Sequence, residues 1–281
     1  MVCASRVSKV RTSALIAALV LCLAGSASAQ RADLARARSL YNQRQFDGAV
    51  EAASAAQKTP ATADAATVVL ARAQLERYRE RANPGDLAAA RVALGTVRVS
   101  NLDARDRVDL QMALGEALFF EDDYGAAATL FESGIEAAMA QGPSTGEAML
   151  EWWGSATERR ADALDRDARM VAFRALRERM SRELSRNAAS SAAAYWLVVG
   201  ARGEGEAETA WDAAIAGWVR ARLAGARSAT LRADLDKLVW KESSRIACTR
   251  WPPSGAPQPN PTSAPNGRWS KNGGNNRTKK R

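Results

Sequence analysis

The chain has 281 residues, 47% of them hydrophobic but only 6% aromatic, and this balance favours packed helices over a β-sandwich. It contains no His, which excludes Ser-His-Asp and Cys-His catalytic systems, His-ligated zinc and a proximal-His haem. Nine of its 40 Lys and Arg lie in 1–29 and 251–281, which hold no acidic residue, so 30–250 is neutral. The net charge of +9 therefore does not indicate a basic nucleic-acid-binding surface on the folded part.

Residues 1–29 have the pattern of a bacterial export signal. Three basic residues precede an apolar run of 11 residues, and Ala27-Ser28-Ala29 supplies the small residues that signal peptidase requires. Cleavage before Gln30 would leave a periplasmic or secreted protein. The run is too short for a hydrocarbon core of about 30 Å, so retention as a membrane anchor and lipid attachment at Cys22 are the weaker alternatives.

Residues 30–250 favour an all-α fold because no segment alternates convincingly with a period of two. Their three prolines, Pro60, Pro84 and Pro143, lie at predicted turns and interrupt no predicted helix. The clearest pair of helices is 106–140, in which an acidic turn separates two segments with apolar residues at helical spacing. Small residues in both segments predict that the two helices approach closely.

The pair 106–140 resembles the tetratricopeptide repeat, a helix-turn-helix unit of 34 residues. The positions that carry the resemblance are Leu114-Gly115-x-x-Leu118, Tyr124 in the turn, and Ala127-x-x-x-Phe131. Gln111 replaces the Trp that often opens this motif, and no Pro stands at its usual closing position.

The same spacing recurs in a second unit, where Leu197 precedes Ala210 by 13 residues, as Leu114 precedes Ala127. Two weaker units and a divergent helix pair complete the series, and a last amphipathic helix is predicted to cap it. The predicted units are 33–60, 64–101, 106–140, the divergent 144–187, 191–224 and the cap 228–247. We predict a long turn over 80–86 in the second of these units. The resemblance implies a right-handed α-solenoid of about five helix pairs.

Beyond these units, 251–281 is rich in Pro, Gly, Asn and basic residues, and we expect it to be disordered. Its basic residues offer one alternative function, the binding of an anionic envelope polymer or of lipid headgroups.

Two acidic groups are the strongest candidates for chemistry, and neither forms a catalytic pattern. Glu121-Asp122-Asp123 lacks the spaced oxygen ligands of a hard-cation loop, which favours a solvated turn. Glu147, Glu151 and Glu158 share one helix face, but no nucleophile or base accompanies them. We therefore expect no enzymatic activity, no metal and no cofactor. An enzyme or small-ligand pocket in 144–187 remains the alternative.

Six aromatic residues of the C-terminal half have two interpretations, since they can fill the core or form a binding wall. They are Trp152, Trp153, Tyr195, Trp196, Trp211 and Trp218. Because each adjoins a more clearly core-facing Trp, Trp153 and Tyr195 are predicted to be partly exposed. Phe131 is predicted to lie in the core.

The resemblance implies that an extended peptide or a helix of a partner binds a concave face, lined by the first helix of each pair. The groove positions that this implies are Arg38, Tyr41, Asn42, Asp109, Met112, Glu116, Phe119, Tyr195, Val199 and Arg202. Among them, Phe119 and Tyr195 are predicted to be exposed aromatic anchors. The expected function is that of a non-catalytic scaffold of the bacterial envelope, with a protein or peptide partner and no specific nucleic acid.

Overall fold

The computed structural model describes residues 32–238. The predicted signal peptide 1–29, the end of the predicted capping helix and the tail 251–281 lie outside the described residues. Within 32–238 the fold is all-α and contains no strand, which confirms the predicted class. None of the helices in this range combines the length and the hydropathy that a bilayer-spanning segment requires.

Helices follow one another along the described chain with short connections. They are α1 (32–42), α2 (Phe46–Ala56), α3 (Ala63–Arg81), α4 (Pro84–Gly95), α5 (Ala104–Phe120), α6 (Tyr124–Gln141), α7 (Pro143–Asp162), α8 (Arg166–Arg186), α9 (Ser191–Glu204), α10 (Ala207–Arg220) and α11 (228–238). Short 3-10 segments, Val99–Asn101 and Ala221–Arg227, precede α5 and α11.

The helices pack in neighbouring pairs, and each helix from α2 to α9 contacts the next one along the chain. The first helices of successive pairs also contact one another, α3 with α5, α5 with α7, and α7 with α9. These contacts place the first helices side by side along one surface of the molecule.

Two groups of buried apolar residues form the core, and α5 belongs to both. Leu110, Ala113 and Ala117 pack with α1 to α4, whereas Val108 and Met112 pack with the helices from α6 to α11. Because these two sets occupy different faces of one helix, α5 joins the N-terminal and C-terminal parts of the core.

Polar residues at five helix starts explain where those helices begin. The side chains of Asn83, Asp103, Asp123, Asp165 and Ser190 each accept a hydrogen bond from a backbone N–H of the first turn, at 2.8–3.1 Å. Such caps satisfy N–H groups that have no partner within the helix.

The connection between α3 and α4 is much shorter than the predicted turn over 80–86. Helix α3 continues to Arg81 and ends at Ala82, which adopts a left-handed backbone conformation with φ of 51°. Asn83 then caps α4, and Pro84 occupies its first turn, where a missing N–H costs little. Pro84 and Gly85 therefore mark a helix start and not a long loop.

Candidate binding face

The surface formed by α1, α3, α5, α7, α9 and α11, called the inner face below, carries two cavities. The N-terminal cavity has a volume of about 500 Å³ and is lined mainly by α1, α3, α5 and α7. The C-terminal cavity has a volume of about 510 Å³ and is lined by α5, α7, α9, the Ala221–Arg227 segment and α11. Helices α5 and α7 thus line both cavities.

Arginines dominate the charge of the N-terminal cavity. Arg38, Arg72 and Arg105 line it together with a single acidic side chain, Asp109. Arg38 pairs with Asp106, which lies beneath the cavity, so the side chains of α1 and α5 are tied together. One positive charge remains in excess even when Asp106 is included.

Arg72 lines this cavity and connects three helices. Its guanidinium pairs with Asp109 of α5 and stacks on Tyr41 of α1, with Cζ 4.7 Å from the ring centroid. Burial raises the pKa of Tyr41 well above its usual value, against the opposing effect of Arg72, so the phenol stays neutral. These contacts hold the cavity wall in one arrangement.

Glu116 lies on α5 between the residues that line the two cavities. Its side chain is 2% exposed, and burial raises its pKa to about 7, although Arg72 acts in the opposite direction. The negative charge of Glu76 adds to the effect of burial. The carboxyl group is therefore partly protonated at neutral pH.

The C-terminal cavity has the opposite balance of charge. Glu151, Glu158 and Asp234 line it with two arginines, Arg159 and Arg227. Aromatic side chains from α5 and α9 form part of its wall. A ligand that spans both cavities would meet excess positive charge at one end and excess negative charge at the other.

Glutamates on one face of α7 join this helix to α9. Glu147 accepts hydrogen bonds from Ser191 Oγ and the backbone N–H of Ala192, both at 2.9 Å. One turn further, Glu151 Oε2 lies 3.3 Å from Trp196 Nε1. These contacts hold α9 parallel to α7.

The predicted groove residues of the N-terminal half are brought together. Arg38, Tyr41, Asn42, Asp109 and Met112 all line the N-terminal cavity. Met112 contributes although its side chain is only 2% exposed.

The remaining predicted groove residues divide into two sets. Phe119 and Tyr195 are half-buried and line the C-terminal cavity, and Arg202 is half-buried at the end of α9. Glu116 and Val199 are buried and line neither cavity, because side chains of neighbouring helices cover them. These two residues offer no contact surface to a partner.

The predicted exposure of the tandem tryptophans is wrong. Trp153 is buried, and Trp152 is the half-buried one of the two. Trp152 stacks on the buried Phe131, with ring centroids 5.8 Å apart, and meets Phe119 edge-on at 5.3 Å. The ring of Phe119 also contacts Tyr124, so it is part of an aromatic cluster as well as of the cavity wall.

None of the predicted groove positions lies on α3 or α7, yet both helices line the cavities. Arg72 was missed because unit 64–101 matches the repeat pattern weakly, and Ser144 and Ser155 because 144–187 lacks the motif. The signal was present in the spacing of Ser144, Ala148, Glu151 and Ser155, which places small and polar residues on one helix face.

The acidic turn between α5 and α6 is used within the fold. Asp123 caps α6, Asp122 accepts a hydrogen bond from the Tyr124 hydroxyl, and Glu121 pairs with Arg91 at 2.6 Å. Across residues 32–238, no group of three or more His, Cys, Asp or Glu side chains is arranged to hold a metal ion.

Comparisons with protein-family models, curated proteins and solved structures found no significant match to this chain. The interpretation of the inner face therefore depends on its geometry and charge.

Proposed function

We propose that this chain is a non-catalytic protein-binding scaffold of the bacterial envelope. In this proposal the helix pairs form a right-handed α-solenoid of the tetratricopeptide type, and an extended peptide or a helix of a partner binds the inner face. The observation that carries the proposal is that both cavities lie on the surface made by the first helices and share α5 and α7. Stacked helix pairs commonly use such a face for binding.

The charge of the inner face specifies the kind of segment that would bind. The N-terminal cavity presents Arg38, Arg72 and Arg105, whereas the C-terminal cavity presents three carboxylates and the half-buried rings of Phe119 and Tyr195. We infer a partner segment with acidic groups at one end and basic and apolar groups at the other. Opposite charges at the two ends would also fix the direction in which the segment binds.

Site-specific crosslinking in cells tests this proposal. A photoreactive amino acid at Ser144 or Ser155 stands inside a cavity, whereas one at Ser181, exposed on α8, stands outside both. We expect the two cavity positions to crosslink to the same partner protein and Ser181 not to do so. Crosslinking that is equal at all three positions, or absent from both cavities, would contradict the proposal.

The proposed location is the periplasm, after cleavage of the segment 1–29. Osmotic shock should release the mature chain, beginning at Gln30, into the periplasmic fraction. Recovery only from the cytosol or as an uncleaved membrane species would exclude this location without bearing on the inner face.

A further inference from the structure

Helix α10 and the start of the 3-10 segment after it carry an apolar stripe on a surface that is not part of the inner face. Five of the eight large hydrophobic residues that are exposed within 32–238 lie between positions 211 and 223. They are Trp211, Ile215, Trp218, Val219 and Leu223, with 38–53% of each residue exposed. Isolated exposed apolar residues are ordinary, but a contiguous patch containing two tryptophans is typical of an interaction surface.

Comparison with α6 shows that positions 215 and 219 of the stripe need no apolar residue for packing within the fold, whereas Trp211 and Trp218 stand where α6 has the buried Ala128 and Ile135. The shared spacing aligns Ala127 and Gly134 of α6 with Ala210 and Gly217 of α10, and all four residues are buried. In this register Ile215 stands at the position of Glu132.

The next turn shows the same difference, because Val219 stands at the position of Glu136. Both glutamates are exposed in α6. Apolar side chains have therefore replaced charged ones at positions that face solvent.

The helix that follows α10 covers a different face. A methyl group added to Gly217 would lie 3.0 Å from Leu235 Cδ1, so α11 packs over the buried side of α10. From α11, the guanidinium of Arg232 lies 4.6 Å from the ring centroid of Trp218. Trp211 and Ile215 stay exposed, as described above.

Charged residues at the two ends of the stripe make it self-complementary. Glu208 lies seven residues before Ile215 in α10, and Arg222 lies seven residues after it, at the start of the 3-10 segment Ala221–Arg227 that follows α10. Trp211 and Val219 are likewise each four residues from Ile215. If a second copy packs antiparallel, with the two-fold axis at Ile215, Glu208 meets Arg222 of the other copy and Trp211 meets Val219.

We propose that the stripe is the interface of a symmetric homodimer, in which α10 packs antiparallel against α10 of a second copy. A two-fold interface uses the same surface on both subunits, so every favourable pair occurs twice. The apolar centre supplies the affinity, and the charged ends fix the antiparallel direction. This inference is independent of the function proposed for the inner face.

Analytical ultracentrifugation of the full mature chain over a concentration series tests the dimer. The wild-type protein should sediment with twice the mass of one chain. Ile215→Glu, which restores the charge that α6 has at the equivalent position, should sediment as a monomer and keep its helical circular dichroism. Val92→Glu is the matched control, since Val92 is an exposed valine on α4 outside the stripe, and should remain dimeric.

Charge reversal separates a second copy from other occupants. Glu208→Arg should raise the dimer dissociation constant by roughly tenfold, because two arginines then face each other twice. Adding Arg222→Glu should restore the wild-type value. A monomeric wild type, a dimer that survives Ile215→Glu, or a double variant without recovery would overturn the proposal. If the chain's own segment 239–251 or a different protein covers the stripe, the wild type will be monomeric, and that result also overturns the proposal.

Discussion

Glu116 illustrates how one buried group links the structure to pH. Its pKa is raised from an ordinary value of 4.5 to about 7, mainly because the carboxyl group is removed from water. Between these two values the folded protein binds a proton that the unfolded chain has lost. The stability that the Glu116 carboxyl group contributes is therefore fully present below pH 4.5 and decreases as the pH rises to about 7.

Replacing this carboxyl group by an amide should abolish its part of the pH dependence. Near pH 4.5, Glu116→Gln and the wild type should melt at similar temperatures, whereas above about pH 7 the variant should be more stable by about 3 kcal/mol. Thermal melts over this range measure the difference.

Glu132→Gln is the matched control, because Glu132 is exposed on α6 and should change neither end of the profile. If the melting temperatures of Glu116→Gln and the wild type changed in parallel between pH 4.5 and about 7, Glu116 would not titrate in this range.

The exposure of individual side chains was harder to predict than the positions of the helices. Trp152 and Trp153 occupy adjacent positions, and apolar spacing alone cannot decide which of them faces the middle of the core. In the structure Trp153 faces the core, whereas Trp152 stays half-buried against the ring of Phe131, a contact between two helices that are not recognisable as one unit in the sequence. Val199 likewise has the spacing of a groove residue but is covered by its neighbours.

Helices α5 and α6 approach closely because the residue between them has no side chain. A methyl group on Gly115 would lie 2.4 Å from Phe131 Cε1, well inside normal contact distance, and Phe131 is itself fully buried. The small residue predicted at this position therefore makes room for an aromatic ring from the next helix.

We expect Gly115→Ala to lower the free energy of unfolding by about 1–3 kcal/mol, because the ring of Phe131 must move. Gly95→Ala provides the control, since Gly95 ends α4 and a methyl group there meets nothing within 4 Å. That substitution should be neutral or stabilise the protein by up to about 1 kcal/mol. Urea denaturation of both variants measures these values, and equal stability of the two would contradict the close approach.

The predictability of each helix followed the strength of its local signals. The three prolines correctly marked breaks between helices, and Leu114-Gly115 with Ala127 and Phe131 correctly indicated a tightly packed pair. Helix α3 was predicted too short because Ala82 turns the chain in a single residue, and alanine gives no turn signal. The role of α7 in both cavities was missed because its lining residues are small and polar.

At the scale of the whole molecule, the sequence was sufficient to predict an all-α fold and a surface made by first helices. It did not predict two cavities of similar volume and opposite charge balance, because these depend on side chains from four or more helices meeting at one place. It also did not predict the exposed stripe of α10. Trp211 and Trp218 are residue types that commonly fill a core, but α11 packs against Gly217 on another side of α10 and leaves them partly exposed.

The central claim is that a partner protein binds the inner face. It is tested most directly by measuring how much of the partner identified by crosslinking each variant of the full mature chain retains. Ser155→Trp places a large side chain in the C-terminal cavity, and Ser181→Trp makes the same change on an exposed part of α8. Both variants should melt close to the wild type, but Ser155→Trp should retain roughly tenfold less partner, while Ser181→Trp retains the wild-type amount. Equal retention by the two variants would show that the partner does not bind the inner face.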